Sequence, residues 1–83
     1  MERERQEVGK VTHYFSKISV AIVKLEAPLG VGDTILIRGN TTNFEQPVES
    51  IQMEHKNVEN AEPGQDVGLK VIKKVMEKDI VYK

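Results

Sequence analysis

The residues of this 83-residue sequence able to do chemistry are its two histidines, its serines and its many carboxylates. His13 and His55 lie far apart in the chain. Neither has a second ligand at the paired spacing a zinc site uses. The chain has no cysteine, which removes disulfides and thiolate metal sites. Glu54-His55-Lys56 sets reactive side chains next to one another, but a solvated strand end is the stronger reading of that run. Ser16, Ser19 and Ser50 lack the local context of an activated nucleophile. No Gly-x-x-x-x-Gly-Lys-Ser/Thr phosphate loop occurs. Gly30-Val31-Gly32 precedes a strand pattern, whereas phosphate loops rely on a helix N-terminus. The expectation is a protein that is not an enzyme, holds no metal or cofactor, and binds no GTP.

Binding chemistry is better represented. In Gly39-Asn40-Thr41-Thr42-Asn43-Phe44, the polar side chains Asn40, Thr41, Thr42 and Asn43 suit hydrogen bonds to backbone or RNA. Phe44 could stack on a base. The alternative is a turn with Phe44 closing the core. Tyr14 and Phe15 beside Lys17 form a second candidate, with core or rim packing as the alternative. Lys70, Lys73, Lys74 and Lys78 gather near the C-terminal end, interrupted by Glu77 and Asp79. Such a run reads as a solvated face or as a phosphate contact. A third candidate is apolar. Ala21, Val23 and Leu25 share one strand parity and Ile18, Val20 and Ile22 the other. If the first set points inward, the second points outward, with Leu36 joining it if the two strands are neighbours. A strand with one face in water is usually polar on that face, so this stripe suggests a contact with another protein or a second copy.

The elements that position these residues are strands. Val and Ile outnumber Leu and Ala, which favours strands over helices. The first strand is expected over residues 8–14, the second over 18–26, the third over 34–38, the fourth over 46–54, the fifth over 67–73 and the last over 80–82. Residues 1–7 are charged and are expected to fray; residues 8–83 make one domain. Leu29-Gly30-Val31-Gly32-Asp33 reads as a turn whose Leu29 and Val31 plug one end of the core. Gly32 suits a positive φ there, and Asp33 can accept from nearby backbone donors. Val48, Ile51 and Met53 do not fit a single period of two, so a β-bulge is expected at Glu49-Ser50. Pro63-Gly64 suits the centre of a type II turn. The expected core is Val11, Val23, Leu25, Ile35, Ile37, Ile51, Met53, Val67, Leu69 and Val71.

Twelve Lys and Arg nearly balance thirteen Asp and Glu, so no general pull towards nucleic acid or an anionic membrane exists. No apolar run approaches the roughly 20 residues that span a bilayer, and the N-terminus lacks the apolar stretch of a signal peptide. A soluble cytoplasmic protein is the expectation.

Leu29-Gly30-Val31-Gly32-Asp33 followed by alternating isoleucines resembles the second domain of translational GTPases such as elongation factor Tu. Val48-Glu49-Ser50-Ile51-Gln52-Met53 resembles the next strand of that domain. Ala61-Glu62-Pro63-Gly64-Gln65-Asp66-Val67-Gly68-Leu69 resembles its Ala-x-x-Gly-x-x-Val-Gly turn and strand. The whole chain also resembles short elongation-factor-like proteins, and barrels appended to collagenase-like peptidases, some relatives of which act in RNA modification. The resemblance implies an all-β fold, a small closed six-stranded antiparallel Greek-key barrel. It implies a non-catalytic binding module associated with translation or RNA, with ribosomal RNA, tRNA or a translation protein as partner. The alternative is a protein-interaction adaptor or homo-oligomer that uses the apolar stripe, serving a peptidase-like RNA-modifying partner.

Overall fold

The computed structural model describes residues 5–83. Among them every regular element is a strand, and every strand pair is antiparallel. The elements are β1 (Glu7–Phe15), β2 (Val20–Leu25), β3 (Leu29–Gly30), β4 (Thr34–Arg38), β5 (Asn43–Pro47), β6 (Ile51–Met53), β7 (Lys56–Val58), β8 (Asn60–Ala61), β9 (Asp66–Lys70) and β10 (Ile80–Tyr82). Eight of them form one sheet in the order β5-β4-β10-β1-β2-β9-β6-β7, and β3 pairs with β8. The sheet is open, with β5 and β7 as its edges. This corrects the closed six-stranded barrel: short strands appear where loops were expected, and no backbone ladder joins β5 to β7.

The alternation of Val and Ile decides which face is dry. Val11, Val23, Leu25, Ile35, Ile37, Ile51, Val67, Leu69 and Val71 are buried, as expected, while Met53 is only half-buried and packs on the core's rim. Val8, Ala21, Ala27, Val75 and Val81 join them. Leu29 is buried but Val31 is exposed, so only the first of the two apolar turn residues plugs the core.

Two features of β1 shape everything beside it. The register slips near Val8 and again near Thr12, where β1 carries an extra residue against β10 and β2 respectively. The Thr12 hydroxyl donates to the Ile22 carbonyl at 3.2 Å and stitches the second bulge. A bulge reverses the parity of the residues beyond it. His13 therefore faces out with Ile22, Tyr14 turns towards the core with Ala21, and Phe15 faces out with Val20. The bulge expected at Glu49-Ser50 is instead a break between β5 and β6, where the chain leaves the β4 hairpin and crosses to β9. Residues 1–4 of the segment expected to fray lie outside the described residues. Gln6 exchanges backbone hydrogen bonds with Lys83, and Glu7 opens β1.

The Leu29–Asp33 turn is fastened at several points. Asp33 N–H donates to the Gly30 carbonyl at 3.2 Å, and Gly30 N–H donates to Asp33 Oδ2 at 2.9 Å. Lys83 Nζ donates to the same oxygen at 3.2 Å. The Gly30 amide, above all, holds the Asp33 carboxyl below its ordinary value; burial opposes it, and the hydrogen bond and charge of Lys83 add smaller lowering effects. A lowered folded-state pKa stabilises the fold above the unfolded-state value, and that contribution disappears as pH falls through the folded-state value. The side chain is 34% exposed, so the contribution is screened and small. Asp33→Ala should cost about 0.5–1.5 kcal/mol near neutral pH. The gap to wild type should narrow as pH falls from neutral into the acid range, through the folded-state value. Urea titrations of both proteins across that range measure it; a gap unchanged in acid would show that the Asp33 charge does not fasten the turn.

Candidate interaction surface

The outer face of β1, β2, β9 and β6 carries most of the exposed apolar surface that the sequence singled out. Pairing sets His13, Ile22, Gly68 and Gln52 in one row across it, and Phe15, Val20 and Lys70 in the next. Ile18, in the turn between β1 and β2, is 57% exposed and Phe15 45%. Val20 and Ile22 are half-buried. The His13 and Phe15 rings lie 4.6 Å apart at a tilted angle.

A groove of about 330 Å³ opens in this face. Phe15, Ile18, Val20 and Ile22 line one part of it, and Gln52, Glu54, His55 and Asp66 the other. Gly68 is its floor. A Cβ added there would lie 3.2 Å from Val20 Cγ1 and 3.6 Å from Ile22 Cδ1, so the glycine leaves a furrow where a side chain would otherwise stand. Glu54 and His55 form the turn between β6 and β7, and both have positive φ, 50° and 67°. Such a turn ordinarily prefers Asn-Gly. Keeping Glu54 there costs the backbone about 1–2 kcal/mol.

The other candidates are scattered. Leu36 is half-buried on β4, between Tyr82 and Glu45, and β10 and β1 separate β4 from β2. It therefore does not join the Ile18, Val20 and Ile22 stripe. Sequence could not show this, because the last strand inserts between the first and the fourth. Phe44 is 9% exposed and belongs to the core, with Lys73 Nζ 6.0 Å from its ring centre. Thr42 is also buried. Both are thus withdrawn from the surface on which a base would stack, and the loop expected at residues 39–44 is a tight hairpin between β4 and β5. Asn40 and Thr41 remain exposed and line a second cavity of about 540 Å³ with Arg38 and the Met76–Ile80 turn. Asn43 is exposed on edge strand β5, opposite Arg38. Tyr14 is half-buried against the core, and Lys17 is solvated in the β1–β2 turn. Of the two expected polar and aromatic clusters, the one around Phe15 thus reaches the groove and the one around Asn40 does not.

Sequence alone does not single out Gly68, and it reads Glu54-His55, set aside as a reactive run, as a strand end and not as a turn. A groove floor has no side chain to attract notice, although Val-Gly-Leu within an apolar strand is a signal that something approaches closely. Among the described residues no group of three His, Asp or Glu side chains is arranged to hold a metal ion. No helix there is long and apolar enough to cross a membrane.

A small, open, antiparallel β module with an apolar groove on one face is the class these features define. The chain is similar to the C-terminal domain of U32 peptidase and collagenase-like proteins. It is 47% identical over 77 residues to an uncharacterized protease of Methanocaldococcus jannaschii, covering 92% of this chain and 19% of that one. It is 40% identical to a collagenase of Porphyromonas gingivalis, covering 98% of this chain and 23% of that one. The chain thus spans about a fifth of the length of the curated relatives it matches. The C-terminal domain of a Geobacillus thermoleovorans protein described as a U32 peptidase superposes with a TM-score of 0.91 at 27% identity, covering 95% of this chain and 100% of that one. A second structure of that domain gives 0.86 at 25% identity, covering 92% of this chain and 89% of that one. No family model matches the sequence. The resemblance to barrels appended to collagenase-like peptidases therefore fits, while these relatives give no support to the tie to translation factors.

Proposed function

We propose that this chain is a non-catalytic binding module that docks on a catalytic unit of the U32 peptidase kind. The observation that carries the reading is the size relation: the chain corresponds to about a fifth of proteins named protease and collagenase. The exposed apolar groove supports it, since a module that packs on a larger body needs a face whose burial is favourable. Fold alone does not assign activity, so the peptidase names of the relatives do not transfer to these residues.

The test adds this chain in trans to the M. jannaschii protease from which the matching segment has been deleted. The expected result is co-elution in size-exclusion chromatography and a measurable heat of binding, both unchanged by ribonuclease. No association at the highest attainable concentration would overturn the proposal. An RNA contact is the second reading, favoured by the exposed His13–Phe15 ring pair next to Lys17. It predicts association that ribonuclease abolishes and that weakens steeply with salt.

A further inference from the structure

We infer that the groove over Gly68 binds an extended peptide segment that presents a large apolar side chain and, two residues along, a lysine or arginine. The inference rests on the reading of the chain as a binding module and names what its surface takes. The apolar end of the groove is built by Phe15, Ile18 and Val20, with Ile22 beside the Gly68 floor. Two of these, Phe15 and Ile18, stay about half-exposed although they are large, so a large ligand side chain that lies over Gly68 and reaches towards them removes apolar area from water on both partners. The opposite end carries two carboxylates, Glu54 and Asp66, and no lysine or arginine lines the groove. Lys24 is the cross-strand neighbour of Asp66, yet among the described residues neither carboxylate makes an ion pair. The charge left at that end is complementary to a cation.

Spacing fixes the ligand pattern. Gly68 and Asp66 are two residues apart on β9 and point to the same face. Along a strand that is about 7 Å, the same period at which an extended peptide repeats its side chains on one face. An apolar residue over Gly68 therefore places residue i+2, in one of the two chain directions, beside Asp66 and Glu54. The strained turn is an independent sign. Glu54 and His55 hold left-handed backbone at positions where Asn-Gly would be relaxed, and such outliers are kept where the side chains have a task.

The test uses the 83-residue chain and fluorescent Gly-Ser peptides carrying a central Phe-Gly-Lys or Lys-Gly-Phe, with Ala-Gly-Lys, Phe-Gly-Glu and their reversals as controls. Binding is read by anisotropy and by amide shifts in two-dimensional NMR. One of the two Phe and Lys peptides should saturate and move the amides of Ile22, Gly68 and Gln52. Replacing its Phe by Ala should weaken it by about tenfold or more, and replacing Lys by Glu by about fivefold or more. Gly68→Val fills the furrow and should abolish binding. Ile18→Ser, at an exposed turn position, should weaken it without disturbing the core, and so covers the case in which Gly68→Val does not fold. Absent saturation, equal binding of all peptides, or unchanged binding in both variants would overturn the groove assignment. If those results appear while the truncated protease still captures wild type and Ile18→Ser equally, only this inference falls. If the protease also fails to bind, the docking proposal falls with it.

Discussion

Ile37→Ala is expected to cost about 2–5 kcal/mol of folding stability. Ile37 is fully buried, and its cross-strand neighbours are Val81 on β10 and Phe44 on β5. Both neighbours are themselves buried, so the truncation opens a cavity bounded on two sides by ladder-held strands. Strands locked in register collapse poorly into such a space, which places the cost above that of losing the methyl groups alone. A chain of 83 residues has a total stability on the order of 4–12 kcal/mol, so this one change removes a large part of it. Leu36→Ala is the parity control. Leu36 is half-buried on the opposite face of the same strand, and its loss should cost about 1 kcal/mol or less. Urea unfolding should show a lower midpoint with an unchanged slope for Ile37→Ala. A loss below about 0.5 kcal/mol, or a cost equal to that of Leu36→Ala, would show that the alternation has been misassigned.

That prediction was available from the sequence, because Ile35-Leu36-Ile37 alternates within a short strand between turn signals. The same pattern exposes Val11, Val23, Leu25, Val67 and Leu69 as core, and the outward parity of Val20 and Ile22 gave half of the groove. What stayed hidden depends on strand order or on polar residues placed against their usual preference. Nothing local says that β10 inserts between β1 and β4, and this is what separates Leu36 from the stripe. The direction of Phe15 depends on the bulge at Thr12, and Thr-His between two apolar residues carries no mark of one. Asn43 and Phe44 close a polar stretch that reads as loop, while Gln46 and Pro47 read as the head of a strand over 46–54, so the sequence does not mark Asn43–Pro47 as one strand. That segment is an edge strand, where a proline is tolerated, and its second inward residue is a glutamine.

That glutamine carries the last prediction. Gln46 is 4% exposed and lies on β5, at the open edge of the sheet. Its Nε2 donates to the Lys70 carbonyl at 2.8 Å, and its Oε1 accepts from the Ile72 amide at 2.9 Å. The side-chain amide thus stands in for a peptide group and ties β5 to the segment that leaves β9, across a gap no backbone ladder bridges. Gln46→Glu keeps nearly the same shape but loses the donor and turns a carboxylate oxygen towards the Lys70 carbonyl. The carboxylate keeps the Ile72 amide but is an uncompensated buried charge facing a carbonyl, which costs about 3–5 kcal/mol, and that is the expected loss near neutral pH. Protonation supplies an O–H able to donate to Lys70 O. Burial and the facing carbonyl both favour the neutral form, so the folded-state pKa of the new carboxyl lies above the reference of about 4.3. A raised folded-state pKa means the folded variant binds its proton more readily than the unfolded chain does. Its deficit against wild type should therefore narrow as pH falls through the folded-state pKa towards the unfolded one. Asp33 titrates in both proteins and cancels in the difference. Gln46→Leu separates charge from lost hydrogen bonds: it leaves Lys70 O and Ile72 N–H unpaired at about 1–3 kcal/mol each, with no dependence on pH. Urea unfolding of the three proteins at several pH values, with amide exchange at Ile72 as a local probe, decides the matter. A Gln46→Glu protein within about 1 kcal/mol of wild type near neutral pH, or a deficit that does not shrink in acid, would mean that the amide does not tie the sheet edge to β9.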